Sequence, residues 1–244
     1  MKIKVILPVT SKAILEKTRE EMKKWSSHKF QIDVEGNSIG TPSIESRYDE
    51  IMCMPDLIRI AEKAESEQYD GILISCMFDT GLEACREKLS IPVVAPGRTS
   101  ILFAAELASS FAILTPLSSC VNIIGSIVNQ LNLTPKLAAL KPLDIPVDEL
   151  ENEPVLLNVL TENAVDAIEN SGAHSIILGC TGIIGLAEKL RNNLLQAGHN
   201  VPIIDPVATS IEYLKSLISL HLSQSKTSYV SPSKKDNNLL SGKS

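Results

Sequence analysis

GILISC at 71–76 and SIILGC at 175–180 are the two stretches that decide the fold. Each is a short apolar run that stops at a cysteine, the pattern of a buried strand in a parallel sheet. Working outward, each cysteine is followed five and six residues later by Gly-Leu, at Gly81-Leu82 and Gly185-Leu186. A second apolar run then leads into Pro-x-x-Thr-Ser-Ile, in VVAPGRTSI at 93–101 and IIDPVATSI at 203–211. Upstream, VILPVTS at 5–11 is answered by ILTPLSS at 113–119. From Pro8 to Cys76 is 68 residues, and from Pro116 to Cys180 is 64. A period of roughly 105 residues is too long for a solenoid and fits a duplicated α/β lobe.

At 244 residues and 44% hydrophobic content, the chain can fill two cores of ordinary lobe size. Only 4% of residues are aromatic, so Ile, Leu, Val and Ala must build those cores. A net charge of −6 without a Lys/Arg stripe argues against nucleic acid, whose phosphates need a basic face, and points to a small-molecule partner. No apolar run reaches the roughly 18–20 residues needed to span a bilayer, and MKIKVILPVTS enters a strand pattern without the marks of a signal peptide. A cytoplasmic protein without membrane contact is expected. Five cysteines form no CxxC and four histidines are scattered, so free thiols and no metal are expected. Nothing fixes the oligomeric state, and a homo-oligomer stays open.

Apolar runs alternate with charged amphipathic stretches, which is the βαβ rhythm of α/β lobes with parallel sheets flanked by helices. The first lobe, 1–97, reads as strands at 3–8, 30–35, 71–76 and 91–95, with helices at 12–25, about 55–69 and 81–89. Pro55 is expected in a helical first turn, where its missing N–H costs nothing. The second lobe, 98–207, repeats the order with strands at 111–116, 136–140, 175–179 and 201–205 and helices at 118–131, 154–170 and 185–196. A final helix over 208–222 is expected to complete the first lobe, with Thr209 and Ser210 as candidate N-caps. Residues 223–244 are polar and aperiodic and read as a disordered tail.

Ligands of open parallel sheets bind at the carboxyl ends of the strands. Cys76 and Cys180 sit at such ends. So do Thr10 and Ser11, Ser118 and Ser119, and the pairs Thr99-Ser100 and Thr209-Ser210 ahead of the helices that close each half. A lone cysteine at a strand end is more often a small apolar residue than a catalyst. Two at equivalent positions of a duplicated lobe shift that balance toward a shared site between the lobes. Cys53, Cys85 and Cys120 have no counterparts and read as structural. The hydroxyl pairs also suit helix caps, His174 falls at the wrong end of its strand, and Asp79 is read either as a substrate contact or as a cap. Two opposed thiols, one charged and one neutral, provide a base on one face of a carbon and an acid on the other.

These residues resemble the aspartate/glutamate/hydantoin racemase superfamily, and within it the hydantoin racemase branch that includes allantoin racemases. GTPSIES at 40–46, CMFDTGLEACRE at 76–87, LGCTG at 178–182 and VPIIDPV at 201–207 carry the likeness, which spans about residues 1–220. The resemblance implies two similar α/β lobes, no cofactor, and Cys76 and Cys180 as the acid/base pair. Gly179, Thr181 and Gly182 match the turn that shapes half of the pocket, and Thr10, Ser11, Asp79, Thr80, Ser118 and Ser119 are the remaining candidate substrate contacts. That branch commonly opens with Asn-Pro-Asn-Thr-Ser, where this chain has Leu7-Pro8-Val9-Thr10-Ser11. The amino-acid racemases often carry His where this chain has Gly182. The expected activity is inversion of a carbon next to a carbonyl, with a 5-substituted hydantoin or allantoin favoured. An aspartate or glutamate racemase, a maleate-isomerase-like enzyme and a non-catalytic small-molecule-binding protein stay open.

Overall fold

The computed structural model describes residues 1–145 and 152–233; the far end of the expected tail, 234–244, lies outside the described residues. The chain divides into two compact units. One comprises Met1–Ser75, Asp79–Ala95 and the described chain from Ile211 on, and the other Cys76–Phe78 and Pro96–Ser210.

The first unit is built from β1 (Lys2–Leu7), α1 (Lys12–Lys23), β2 (Gln31–Gly36), α2 (Arg47–Ser66), β3 (Gly71–Ile74), α3 (Leu82–Lys88) and β4 (Val93–Val94). The strands form a wholly parallel sheet in the order β2-β1-β3-β4. Ile6, Ile72, Ile74 and Val93 face α2 and α3, where they are buried against Leu57, Ile60, Leu82 and Leu89. Ile3, Val5, Leu7 and Leu73 are just as buried on the opposite face. A sheet covered on both faces explains why its strands read as unbroken apolar runs.

The second unit holds α4 (Pro96–Leu107), β5 (Phe111–Thr115), α5 (Ser118–Gln130), β6 (Leu137–Pro142), α6 (Glu153–Ser171), β7 (Ile176–Leu178), α7 (Ala187–Gln196), β8 (Ile203–Ile204) and the first turn of α8 (Pro206–Ser219). Its parallel sheet runs β6-β5-β7-β8, the same order shifted by one duplication. Ala112, Leu114, Ile176 and Leu178 pack against Leu156, Leu160, Leu190 and Leu194 of α6 and α7. From Ile211 on, α8 belongs to the first unit, where Leu214 and Ile218 pack on Gly71 at the start of β3.

Three expectations are corrected. Pro55 is not in a first turn: α2 begins at Arg47, and Pro55 lies in its interior. Ser46 caps the helix by accepting from the Asp49 amide at 3.2 Å while its hydroxyl donates to the Asp49 carboxylate at 2.7 Å, a reciprocal cap that outweighs the proline as a start signal. The lost proline N–H leaves the Ile51 carbonyl without its helical donor, on a residue open to water. Thr99-Ser100 and Thr209-Ser210 do not precede their helices but lie inside α4 and α8, which start at Pro96 and Pro206. The cap of α8 is Asp205, whose carboxylate accepts from the Val207 and Ala208 amides at 2.9 and 3.0 Å. Finally, the described part of the expected tail, 223–233, is anchored on the first unit. Gln224 donates to the Leu89 and Ile91 carbonyls and accepts from the Val93 amide, and the Tyr229 ring lies beside the Arg86 guanidinium.

No helix among the described residues is long and apolar enough to cross a membrane.

Candidate active site

In the order β2-β1-β3-β4 the chain leaves β1 toward one side and returns to pair with its other side. The strand order therefore reverses between β1 and β3, and in the second sheet between β5 and β7. Ligand crevices of parallel sheets open at the carboxyl ends of the strands at that reversal. The ladders put both cysteines there at one register position. Ile6 pairs with Ile74, and the Ser75 amide donates to the Ile6 carbonyl at 2.8 Å. Leu114 pairs with Leu178, and the Gly179 amide donates to the Leu114 carbonyl at 2.7 Å. The next residues are Cys76 and Cys180, each the first beyond its ladder, and Pro8 and Pro116 correspond in the same register.

Cys76 is 9% exposed and opens a turn in which Met77, Phe78 and Thr80 are buried. Asp79 holds a positive φ of 55°, and its carbonyl accepts from the Leu82 amide at 3.0 Å, leading into α3. The second turn is built otherwise. A β-carbon on Gly179 would lie 2.5 Å from the Leu114 carbonyl oxygen, so only glycine lets the strand end approach β5 this closely. Cys180 is half-buried, and the Gly182 amide donates to its Sγ at 3.3 Å. Thr181 and Gly182 are half-buried beside it.

The hydroxyl pairs do different things. The Thr10 amide donates to the Thr41 carbonyl at 3.0 Å, and the Ser11 hydroxyl caps α1 by accepting from the Ile14 amide at 3.4 Å. Ser118 and Ser119 are exposed in the first turn of α5, whose cap position is held by Leu117 without a side-chain hydrogen bond. Ser118 donates to Asp144 at 3.2 Å. Ser210 is buried within α8 and donates back to the Pro206 carbonyl at 2.6 Å, and Thr209 likewise to the Asp205 carbonyl, so neither hydroxyl caps a helix.

Of the remaining thiols, Cys85 and Cys120 are buried on α3 and α5, and Cys53 is buried on α2. Burial, reinforced by the nearby Glu62 carboxylate, pushes the Cys85 thiol up to about 12, which keeps it neutral and inert. His174 lies just before β7, with its ring 2.7 Å from the Ser109 hydroxyl. Among the described residues no group of three or more His, Cys, Asp or Glu side chains could hold a metal ion.

Sequence reading missed two polar residues at the carboxyl ends of strands and a third on α2. Asn37, directly after β2, and Thr115, the last residue of β5, keep buried oxygens with no hydrogen-bond partner among the described residues, where such atoms are normally paired. Asp56, buried on α2, accepts from the loop that leaves β2.

Two parallel four-stranded sheets flanked by helices, each with a cysteine two residues past the strand at its reversal point, define the class: an α/β protein built on a duplicated parallel sheet. The chain belongs to the Asp/Glu/Hydantoin racemase family, whose model matches residues 3–214, and is an isomerase. It is 32% identical over 238 residues to the hydantoin racemase of Paenarthrobacter aurescens, a match covering 96% of this chain and 99% of that one. To the hydantoin racemase of Pseudomonas sp. (strain NS671) it is 30% identical over 238 residues, covering 97% and 94%. Among solved structures, the allantoin racemase from Klebsiella pneumoniae superposes with a TM-score of 0.90 at 29% identity, covering 99% of this chain and 98% of that one.

Proposed function

We propose that this protein racemises 5-substituted hydantoins or allantoin, with Cys76 and Cys180 as the two acid/base groups. The observation that carries the reading is the shared register of the two cysteines, each the first residue past the ladder at its sheet's reversal point. The near full-length likeness to hydantoin and allantoin racemases supports the substrate class.

In this mechanism a thiolate removes the proton from ring carbon C5, and the electron pair moves into the adjacent carbonyl as an enolate. The other thiol then delivers its proton to the opposite face of C5. The product leaves with the two sulfurs in exchanged protonation states, and proton exchange with solvent resets them. The first negative charge disfavours the second, so the pair titrates as one unit, one thiolate and one thiol. Both proton transfers come from the chain itself, so the step needs no cofactor. A ring C5 hydrogen is more acidic than the Cα hydrogen of a free amino acid, which sets a lower barrier for a thiolate base. Backbone N–H groups at the strand ends would stabilise the enolate oxygen, a contribution worth about 3–4 kcal/mol per donor in preorganised sites.

The test is incubation in deuterium oxide with single enantiomers of a hydantoin panel, allantoin, aspartate and glutamate, following C–H exchange by NMR against an enzyme-free control. Enzyme-dependent exchange with hydantoins or allantoin, lost in both Cys76→Ala and Cys180→Ala, is the expected result. Equal exchange in both variants and in the unaltered protein would remove the cysteines from the chemistry. Exchange confined to aspartate or glutamate would overturn the substrate class.

A further inference from the structure

The loop that follows β2 is strapped to α2 by one buried carboxylate. The Asp56 side chain is 3% exposed. Its Oδ2 accepts from the Ser38 amide at 2.6 Å, the Ser38 hydroxyl at 2.9 Å and the Ile39 amide at 3.2 Å. Its other oxygen accepts from Arg59 at 2.7–2.8 Å. One turn earlier on the same helix, the Cys53 carbonyl accepts from the Asn37 side chain at 2.8 Å, and the Cys53 sulfur lies 3.4 Å from the Thr41 amide. The strap then reaches the strand at the reversal point. The Asn37 amide donates to the Leu7 carbonyl at 3.1 Å, and the Thr41 carbonyl accepts from the Thr10 amide at 3.0 Å.

We infer that Asp56 is a positioning residue, which through the strap at 37–41 fixes the backbone at Thr10, beside the carboxyl end of β1. Four donors converge on this one buried carboxylate, and hydrogen bonds to a charged acceptor are among the stronger ones in a folded chain. Burial works against the charge, and the donors from Ser38, Arg59 and Ile39 outweigh it, holding the Asp56 carboxyl below its usual range. The carboxylate therefore stays charged through the neutral and mildly acidic range, and the strap stays fastened there. Its contribution is present above the ordinary aspartate range and is lost only as the pH falls through the lowered value. The Thr10 backbone, held from outside the crevice, can then present one fixed surface to a substrate. Binding would depend on that surface more than the proton transfers do.

The kinetic half of this inference rests on the racemase reading, so the experiment has a second readout that does not. The full chain and its Asp56→Asn, Asp56→Ala and Ser38→Ala variants are compared by residue-resolved amide exchange and by hydantoin kinetics. In Asp56→Asn the Thr10 amide is expected to lose about tenfold or more of its protection while the Ser75 amide, on the neighbouring ladder, keeps its own. KM for the hydantoin rises about tenfold with kcat changed less than about threefold, the split expected of lost binding rather than lost chemistry. Ser38→Ala, which removes only one of the donors, shows the same pattern with a smaller change, and it carries the test if either Asp56 variant fails to fold. Unchanged Thr10 protection in Asp56→Asn overturns the inference. So does a fall in kcat at constant KM, which would mark Asp56 as merely structural. If the unaltered protein turns over no hydantoin, the racemase reading fails, and Thr10 exchange alone decides the role of Asp56.

Discussion

The turns after β3 and β7 begin at one register position and then diverge. After β3 the chain buries Met77 and Phe78, leaves Cys76 at 9% exposure, and turns through Asp79 at a positive φ of 55° into α3. After β7 it passes Gly179 against the Leu114 backbone, leaves Cys180 half-buried, and aims the Gly182 amide at its sulfur. Other paired positions diverge in the same way. Buried Lys4, paired with Glu35 at 2.8 Å, occupies the register of Ala112, and Ala95 stands where the second sheet has the helix-capping Asp205. The ladders fix where each sulfur emerges, and the turns fix what surrounds it. Position is thus duplicated and environment is not.

The comparison breaks most severely at Gly179. Replacing it with alanine drives a methyl into the Leu114 carbonyl and is expected to destabilise the protein by about 3 kcal/mol, against about 1 kcal/mol for Ser75→Ala at the matching position. Equal costs in chemical denaturation would show that the two strand ends are built alike after all. High pH separates the units next. Tyr69, held up to about 12 by burial and by Asp33, and Cys85, also at about 12, both belong to the first unit. Each is a neutral acid with a folded value above its ordinary 10.0 or 9.0, so its contribution is full below those values and lost as the pH climbs toward about 12. The loss is at most about 1.4 kcal/mol per pH unit per group. Amide exchange between pH 9 and 12 should therefore rise first in β1–β4. A first rise in β5–β8 would contradict it.

Thiol reactivity sharpens the same contrast. Iodoacetamide on the native protein, read by peptide mass spectrometry, is expected to label the half-buried Cys180 about tenfold faster than the buried Cys76, with Cys53 and Cys85 protected, since access limits the rate. Faster labelling of Cys76 would reverse the assignment of environments. The smallest expected effect is at α8: Asp205→Ala costs about 1 kcal/mol through the lost cap. No shift in the denaturation midpoint would mean that Asp205 does not stabilise the helix.

The duplicated sheet and both cysteine positions were legible because strands buried on both faces leave unbroken apolar runs, and proline, cysteine and Gly-Leu punctuate them twice at near-equal spacing. The start of α2 was not, because a Ser-x-x-Asp cap that begins at the last residue of the polar segment GTPSIES looks like loop, and Pro55 further on gives a stronger but misplaced signal. Asp56 escaped notice for a different reason: its partners Ser38 and Ile39 lie a full loop away, and nothing local distinguishes it from any carboxylate on a helix. Anchoring at 223–233 rests on long-range contacts of Gln224 and Tyr229 with residues about 140 positions earlier, which composition does not register. The oxygens of Asn37 and Thr115, without a partner among the described residues, are visible only once the fold has buried them.

The central claim, that two thiols serve opposite faces of one carbon, is tested most directly by the isotope content of both enantiomers early in a single-enantiomer reaction run in deuterium oxide. Two bases predict a product carrying deuterium at C5 from the first turnovers, while the remaining substrate stays protiated. Deuterium appearing equally in both from the start would mean that a single group adds and removes the proton on either face, and the paired-cysteine account would be wrong.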